Sequence, residues 1–324
     1  MITRVDSTIS VLVPTYLRPQ DLSRCLGALE TQVRPPEELV VVVRDTDHPT
    51  RDLLNGLTVR AGTLRMVTVT EPGVVAAMNA GLRASSGEIV ALTDDDAAPR
   101  PEWLSRIEAH FRADPRVGGV GGRDWVHQGE RIIVGAKPVV GRVQWFGRVI
   151  GNHHLGVGGP RGVDVLKGVN CAYRRSAIRE IGFDTRLLGS GAQVYWELSL
   201  GLQLRRRRWK LIYDPAIEVD HFWGARFDEA RVSRLEAKAE TLAVYNAAYN
   251  EALILSDHLK PWPRVAYRVW SALIGASETP GLLQAVRFTP THGAVAWRRF
   301  AAAQRGKMRC FFGSAGGRVG VRRP

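Results

Sequence analysis

The stretch Gly87–Trp103, GEIVALTDDDAAPRPEW, joins a short apolar run to three consecutive carboxylates. The run Ile89–Leu92 predicts a buried strand that ends where Asp94–Asp96 begin. Three adjacent carboxylates repel one another, so a cluster near a strand end favours a bound cation or strong hydrogen-bond donors. The alternative is a solvated acidic turn before the two prolines that follow, because Asp and Pro both favour turns. The stretch alone leaves both interpretations open.

The residues before this stretch alternate between strand and helix patterns. Ile9–Val13 is a β-branched run, a helical repeat of apolar residues follows, and Leu39–Val43 is a second continuous apolar run that ends near Asp45. Such alternation predicts an α/β fold, in which a mostly parallel, Rossmann-like sheet is flanked by helices. Ligands of such sheets bind outside the carboxyl ends of the strands, where Asp45 and the acid cluster would lie.

Composition sets broad limits on the protein. The 324 residues are 45% hydrophobic, enough for a sizeable core, and the formal net charge of +13 should attract phosphates, acidic lipids or nucleic acid. The N-terminus lacks the pattern of an export signal, and no window has the roughly 20 apolar residues of a membrane span. Three widely spaced cysteines are typical of a reducing cytosol, so we expect neither a disulfide nor a cysteine-based metal site.

The middle of the chain is less regular. Val117–Gly122, VGGVGG, resembles a dinucleotide fingerprint but lacks a convincing following helix and the downstream acid, so we do not favour that role. Residues 124–161 mix tryptophans with glycines, which is typical of a variable substrate pocket on loops. Further on, Glu197 lies near the start of a predicted helix that ends in Arg205–Arg208. A solvated helix cap explains much of this arginine run, since cations are favourable in a last turn.

From about residue 225 the composition changes to that of a helical appendage. One stripe repeats at helical spacing and is flanked by Arg264 and Arg268; its members are Trp262, Val265, Ala266, Val269, Trp270 and Leu273. Core packing is the commoner role of such a stripe and is slightly favoured here. The combination of Trp with Arg also fits a helix lying in a membrane interface. The Gly- and Arg-rich stretch 305–324 is predicted to be a basic, disordered tail.

Five separated segments together resemble the family 2 glycosyltransferases with the GT-A fold, particularly bacterial enzymes of cell-surface polysaccharide assembly. They are ISVLVPTYLRP (9–19), VVVVRDTD (40–47), GEIVALTDDDAAPRPEWL (87–104), GVNCAYRRSAIREIGFD (168–184) and VYWELSLGLQLRRRRWKLIYDPAIEVDHF (194–222). The resemblance implies a glycosyltransferase domain over 1–223, with a nucleotide-sugar half at about 1–123 and an acceptor half at about 124–223. A helical region at 224–304 and the tail would follow.

The resemblance assigns the donor side residue by residue. Asp94 and Asp96 match the acids of the family's DXD motif, which hold a divalent cation on the donor diphosphate, and Mg²⁺ or Mn²⁺ suits such oxygen ligands. His221 matches a late histidine that completes the metal shell in some members, which would favour Mn²⁺; a packing role is equally open. Asp95 is assigned to the nucleotide, at the ribose.

The same motifs assign the part of the donor site that reads the base. Asp45 matches the acid that reads the base of uridine or thymidine donors, and a local turn cap is its alternative. Thr15 and Arg18 would flank that base.

The acceptor side of the resemblance rests on Glu197, which falls where the family has its general base. The family's Glu-Asp pair is replaced by Trp196-Glu197, so the first acid is missing and the second is longer. An unperturbed Glu is ionised at neutral pH, with a pKa of about 4.3, and could accept a proton. Trp196 would stack on a sugar ring or pack inward, and Lys167 and Asn170 are further candidate contacts with the acceptor or sugar.

The predicted function is therefore inverting, metal-dependent transfer of a sugar from a UDP- or dTDP-sugar to a saccharide or lipid-linked acceptor in cell-envelope glycan synthesis. The expected location is cytoplasmic, with peripheral contact to an anionic membrane through the C-terminal region. Two alternatives stay open: a basic binding or scaffolding protein without catalysis, and a nucleotidyltransferase. No specific nucleic acid partner is expected, because the acid cluster would repel phosphate unless a cation intervened.

Overall fold

A ten-stranded sheet forms the centre of the protein in a computed structural model that describes residues 7–224 and 236–313. The strands are β1 (Ile9–Thr15), β2 (Glu38–Arg44), β3 (Thr63–Val69), β4 (Ile89–Leu92), β5 (Ala97–Pro99), β6 (Val117–Gln128), β7 (Arg131–Ile132), β8 (Arg142–Val143), β9 (Val149–Ile150), β10 (Arg161–Gly162), β11 (Cys171–Arg174) and β12 (Lys210–Phe222). The helices are α1 (Pro19–Glu30), α2 (His48–Asn55), α3 (Val74–Ala84), α4 (Trp103–Ala113), α5 (Arg175–Ile178), α6 (Trp196–Arg206), α7 (Glu236–His258), α8 (Pro261–Leu273), α9 (Leu282–His292) and α10 (Ala294–Phe312).

The predicted α/β fold with a mostly parallel sheet is confirmed. Eight of the ten strands lie in the order β10-β12-β6-β11-β4-β1-β2-β3, β5 pairs with β12 and β7 with β6, and β8 and β9 form a separate two-stranded sheet. The β4-β1-β2-β3 part is parallel throughout. The apolar runs of β1, β2 and β4 are buried on both faces, which is why they lack the alternation of a half-exposed strand. Their carboxyl ends meet at one edge of the sheet, so the residues after them lie close together.

Strand β11 continues this sheet and runs antiparallel between β4 and β6. The glycine run VGGVGG is part of strand β6, and therefore not a phosphate-binding turn. Asp214-Pro215 lies within one continuous strand, β12, whose register against β6 shifts between Asp214 and Glu218. A register shift of this kind bends the strand without ending it, and β12 then carries His221 back to the acid cluster.

The C-terminal helices pack onto the central domain. Ala252 and Leu255 of α7 and Tyr267 of α8 belong to the same apolar core as Trp196. The predicted core stripe of α8 is wrong: Trp262 is 83% exposed, and Val265, Val269 and Leu273 are exposed as well, whereas Tyr267 and Ser271 form the buried side.

Two further findings concern this region. Helix α10 continues to Phe312, so the predicted tail is helical at residues 305–312, and residues 314–324 lie outside the described part of the chain. Among the described helices, none combines the length and the apolar character needed to cross a membrane.

Candidate active site

A cavity of about 550 Å³ lies at the carboxyl ends of the central strands. Its walls include Thr15, Arg18, Asp94, Asp96, Lys167, Trp196, Glu197 and His221. Most of the residues predicted for the site therefore lie in one cavity, although they come from segments up to two hundred residues apart in sequence.

Asp94, Asp96 and His221 form a group that could hold a metal ion. Each offers one ligand atom, and the three atoms lie within 4.8 Å of one another. Oδ1 of Asp96 is buried, has no hydrogen-bond partner among the described residues, and lies 3.6 Å from Nε2 of His221. Burial and the neighbouring charge of Asp96 raise the pKa of Asp94. A divalent cation would satisfy the unpartnered oxygen and relieve the repulsion, so these residues fit such an ion.

Arg18 and Thr15 hold the acid cluster in place. The Arg18 guanidinium lies 2.7 Å from Asp95 Oδ1 and 2.7 Å from Asp96 Oδ2, and the Thr15 hydroxyl donates to Asp95 at 2.7 Å. Asp95 is completely buried and does not line the cavity. The Asp95 carboxylate is thus occupied by Thr15 and Arg18, and the ribose contact assigned to it stays a prediction.

Asp124 of β6 connects the candidate metal group to Lys167. Its carboxylate forms an ion pair with Lys167 and lies 3.4 Å from Nδ1 of His221. Burial alone would raise the pKa of Asp124, but the hydrogen bond with His221 and the charge of Lys167 lower it well below its usual range. A charged carboxylate on Nδ1 orients the imidazole with Nε2 toward Asp96, an arrangement common around metal-binding histidines. Asp124 was not predicted as a site residue.

Glu197 occupies the first turn of α6 and lines the cavity. Its Oε1 accepts a hydrogen bond from the Gly168 amide at 3.3 Å, which fixes the carboxylate against the Lys167–Asn170 turn. Burial raises the pKa of Glu197 to about 7. The expectation of an ordinary, fully ionised Glu is therefore wrong, and the shifted value suits a general base that works near neutral pH.

The predicted acceptor contacts divide into two kinds. Lys167 and Trp196 line the cavity, although Trp196 is only 7% exposed and packs edge-on against Phe183. Asn170 is completely buried; it donates to the carbonyls of Arg123 and Ile217 and accepts from the Trp103 indole at 2.8 Å. All its polar atoms are used within the fold, so the predicted sugar contact of Asn170 is not supported by its position.

Asp45 follows β2 as expected but does not line the cavity, whereas its neighbour Arg44 does. The Asp45 carboxylate accepts from the Thr46 amide at 3.0 Å, which is the turn-capping contact considered above. Nearby, the fully buried Asp47 accepts from the Leu17 amide at 2.5 Å and caps α2. Recognition of a base by Asp45 stays a prediction.

Two charged residues of the cavity, Arg44 and Glu278, were not among the predicted site residues. Arg44 ends β2, where strand-end position alone could have drawn attention to it. Glu278 belongs to the segment between α8 and α9, a part of the chain assigned to the appendage. Only the packing of the C-terminal helices brings Glu278 to the cavity.

Known glycosyltransferases resemble this chain in sequence, chiefly in its N-terminal part. The family model of glycosyl transferase family 2 matches residues 10–182, more than half of the chain. AglE of Haloferax volcanii, a glycosyltransferase, is 31% identical over 101 residues, 30% of this chain and 33% of its own. YdaM of Bacillus subtilis, a probable glycosyltransferase, is 24% identical over 61% of this chain and 48% of its own. The chain spans about a third to a half of the length of these curated relatives.

Two solved structures share the fold. The mannosyltransferase PcManGT from Pyrobaculum calidifontis, solved with GDP-Man and Mn²⁺, superposes with a TM-score of 0.53 at 18% identity and covers 96% of this chain and 88% of its own. GalNAc-T7, solved with UDP, GalNAc and Mn²⁺, gives a TM-score of 0.57 at 14% identity over 82% of this chain and 57% of its own. The sequence match and the shared architecture agree: the chain belongs to glycosyl transferase family 2 and has the GT-A fold.

Proposed function

We propose that the protein transfers a sugar from a nucleoside-diphosphate sugar to an acceptor hydroxyl, with inversion at the anomeric carbon and with a divalent cation in the site. One observation carries the proposal: a single cavity brings the Asp94, Asp96 and His221 group together with the carboxylate of Glu197. A cation site beside a base of suitable pKa is what activation of both the leaving group and the nucleophile requires.

The donor side would be built on Asp94, Asp96 and His221. A bound cation supplies charge neutralisation for the departing diphosphate. Both structural neighbours named above were solved with Mn²⁺, and the imidazole in the group favours Mn²⁺ over Mg²⁺. Arg18, already paired with two acids, adds positive charge at the same wall of the cavity.

The acceptor side would depend on Glu197. Its carboxylate takes the proton of the acceptor hydroxyl as that oxygen forms a bond to the anomeric carbon. The bond from the anomeric carbon to the diphosphate oxygen breaks at the same time, and the diphosphate leaves with the electron pair. A base with a pKa of about 7 is partly ionised at neutral pH and still basic enough to accept the proton.

The identity of the donor and acceptor forms a finer part of the proposal. We propose a UDP- or dTDP-sugar as donor, with Asp45 and Arg44 near the base, and a saccharide or lipid-linked acceptor of cell-envelope glycan synthesis. A thermal-shift panel of UDP-, dTDP- and GDP-sugars with and without Mn²⁺ tests the donor, since a bound ligand raises the melting temperature. The largest shift should come from a pyrimidine donor and should vanish in EDTA; a GDP-sugar that shifts it most would remove the pyrimidine assignment.

A product assay separates this proposal from its alternatives. Transfer or hydrolysis of the sugar releases nucleoside diphosphate, whereas a nucleotidyltransferase releases pyrophosphate. Asp96→Ala should abolish metal-dependent donor binding by calorimetry, and unchanged donor binding in EDTA would refute the cation site. A basic scaffolding protein would instead bind nucleic acid with a steep salt dependence and release neither product.

We further propose peripheral docking on the cytoplasmic, anionic surface of the plasma membrane through the exposed face of α8. Trp262, Val265, Val269 and Leu273 project from this face, and Arg268 on the same helix is exposed. Trp145, at the tip of the β8–β9 hairpin, is 69% exposed, and the adjacent Phe146 packs on Trp270 of α8 at 5.6 Å. Exposed tryptophans beside cations suit a lipid headgroup region, where each cation contributes about 1 kcal/mol on an anionic surface.

Sedimentation with vesicles tests this docking. Full-length protein should pellet with phosphatidylcholine vesicles that contain phosphatidylglycerol at low salt, and Val269→Glu should weaken the effect. Val33→Glu is the matched control, because Val33 is a 70% exposed valine at the end of α1. If the unmodified protein does not pellet with the vesicles, or if the pelleted fraction falls equally in both variants, the exposed face of α8 is not a membrane-docking surface.

A further inference from the structure

The segment Ile274–Gly281, between α8 and α9, is held rigidly by side chains of α10. Three of its carbonyls accept hydrogen bonds from this one helix: Ser277 from Arg299 at 3.3 Å, Thr279 from Lys307 at 3.1 Å, and Pro280 from Gln304 at 3.1 Å. Three anchors within four residues leave the segment little freedom to rearrange.

A buried lysine is the central anchor. Lys307 is only 2% exposed, and its ammonium also donates to the Ser271 carbonyl of α8 at 2.7 Å. Beneath the segment, the Thr279 hydroxyl donates to the buried carboxylate of Glu251 at 2.9 Å. Burying a lysine and a glutamate is costly unless their hydrogen bonds are satisfied. Here both side chains form hydrogen bonds with Thr279 and so hold this short segment in place.

The segment also turns sharply around its anchors. Gly275 adopts a φ of +67°, and a Cβ there would lie 2.4 Å from the Thr279 carbonyl, so only glycine fits. The result is that Glu278, between two anchored residues, is exposed and lines the cavity. No cation of the described residues lies within ion-pair distance of Glu278, in contrast to the acids on the donor wall.

Glu278 lies beside the catalytic end of the cavity. Glu278, Tyr195 and Glu197 line the same cavity, and the charges of Glu251 and Glu278 add to burial in raising the pKa of the Tyr195 phenol. Tyr195 directly precedes α6 and the candidate base Glu197, and it is held at a φ of +77°. Glu278 thus lines the cavity from an anchored backbone segment, in the same cavity as Glu197, Asp94 and Asp96.

We propose that the Ile274–Gly281 segment forms the acceptor wall of the cavity and that Glu278 is a specificity-determining residue that selects an uncharged, polyhydroxylated saccharide. Its carboxylate accepts hydrogen bonds from acceptor hydroxyls that do not react. Together with Glu197 it repels an acceptor that carries its own carboxylate or phosphate at this position. The inference rests on the proposed sugar transfer and adds to it the chemical class of the acceptor.

The test uses full-length protein, Mn²⁺ and the donor with the largest thermal shift. Release of nucleoside diphosphate is measured in water alone and with octyl β-D-glucoside, octyl β-D-galactoside, octyl α-D-mannoside and the anionic octyl β-D-glucuronide. At least one neutral glycoside should accelerate release, and the glucuronide should not. Glu278→Gln should raise the KM for that glycoside about tenfold, the effect of one hydrogen bond to a charged group, whereas the KM for the donor should change much less.

Control variants separate the proposed role of Glu278 from the proposed sugar transfer on which it rests. Glu130→Gln alters an exposed Glu in the β6–β7 turn and should leave the KM for the neutral glycoside unchanged. Glu278→Lys should gain activity with the glucuronide as acceptor. The acceptor wall is overturned if no neutral glycoside accelerates release, if the glucuronide works as well, or if Glu278→Gln keeps the acceptor KM. If the unmodified protein neither binds nor hydrolyses any donor, the proposed transfer itself fails, and the acceptor wall fails with it.

Discussion

The carboxylate of Asp124 lies 3.4 Å from Nδ1 of His221, and Nε2 of the same ring faces Asp96 at 3.6 Å. The imidazole is therefore held between a fully buried acid and the acid cluster. This relationship assigns the two nitrogens different tasks, because the one that faces Asp124 is occupied and the other is directed at the candidate metal position.

Asp124→Asn should weaken Mn²⁺ binding by about 10- to 100-fold, because the ring loses the partner that sets its orientation and basicity. Titration of Mn²⁺ by electron paramagnetic resonance measures the free ion directly. Asp214→Asn is the control, since Asp214 makes a similar contact with His110 at 2.8 Å outside the cavity. Equal Mn²⁺ affinity in the Asp124 variant and the unmodified protein would show that His221 does not depend on this acid.

Glu197→Gln should lower kcat by about 100- to 10,000-fold, the usual contribution of a general base. The amide keeps the size of the side chain and can still accept from the Gly168 amide, so donor affinity measured by calorimetry should stay within a few fold. A Gln variant with full transfer activity would remove Glu197 from the role of base.

The pH dependence of transfer should reflect the raised pKa of Glu197. A base must be deprotonated to accept a proton; with a pKa of about 7, the active form is lost as the pH falls below 7 and is complete above it. We therefore expect kcat/KM to rise between about pH 6 and pH 8, whereas an unshifted Glu would place this rise near about pH 4.3. Donor affinity over the same range is the control for effects on the metal site. A flat profile between these limits would contradict the assignment.

Gly168→Ala should reduce transfer without unfolding the protein. A Cβ at this position would lie 2.5 Å from the Trp196 ring and 3.1 Å from Oε1 of Glu197, so both side chains must shift. Displacement of a catalytic group by about 1 Å can lower the rate by roughly 100-fold. Gly162→Ala is the matched control, because nothing lies within 4 Å of its added carbon. Steady-state rates and a melting curve for both variants separate loss of activity from loss of structure.

Asn170→Ala should lower the free energy of unfolding by about 3 kcal/mol, because the Trp103 indole and two backbone carbonyls lose their buried partner. Urea denaturation measures the change, and Asn55→Ala at the exposed end of α2 should stay within about 0.5 kcal/mol. If the Asn170→Ala variant keeps its free energy of unfolding but has a raised KM for the acceptor, the sugar contact predicted from the sequence would be supported instead.

The sequence was most informative where local pattern and fold agree. The continuous apolar runs of β1, β2 and β4 predicted central strands, and the position of Asp94 and Asp96 after β4 followed from the topology of such sheets. These inferences succeed because a strand buried on both faces leaves a strong signal in a few residues.

Features that depend on tertiary contacts were missed or misjudged. Asp95 and Asn170 occur within motifs, yet their side chains are enclosed by the fold, and no local pattern separates an enclosed polar residue from an exposed one. Periodicity identified the apolar stripe of α8 but could not show which face α7 and α10 would cover. The raised pKa of Glu197 arises from burial, which the sequence does not record.

The antiparallel strand β11 has a consequence for how the chain reaches its native state. It fills the gap between β4 and β6, so the N-terminal part of the sheet cannot be completed until residues 171–174 have left the ribosome. Until then, the backbone groups along one side of β4 have no partner strand, and such edges are prone to pair with other chains. A fragment ending near residue 123 would keep this open edge permanently and should aggregate, even though it contains the acid cluster and the parallel strands β1 to β4.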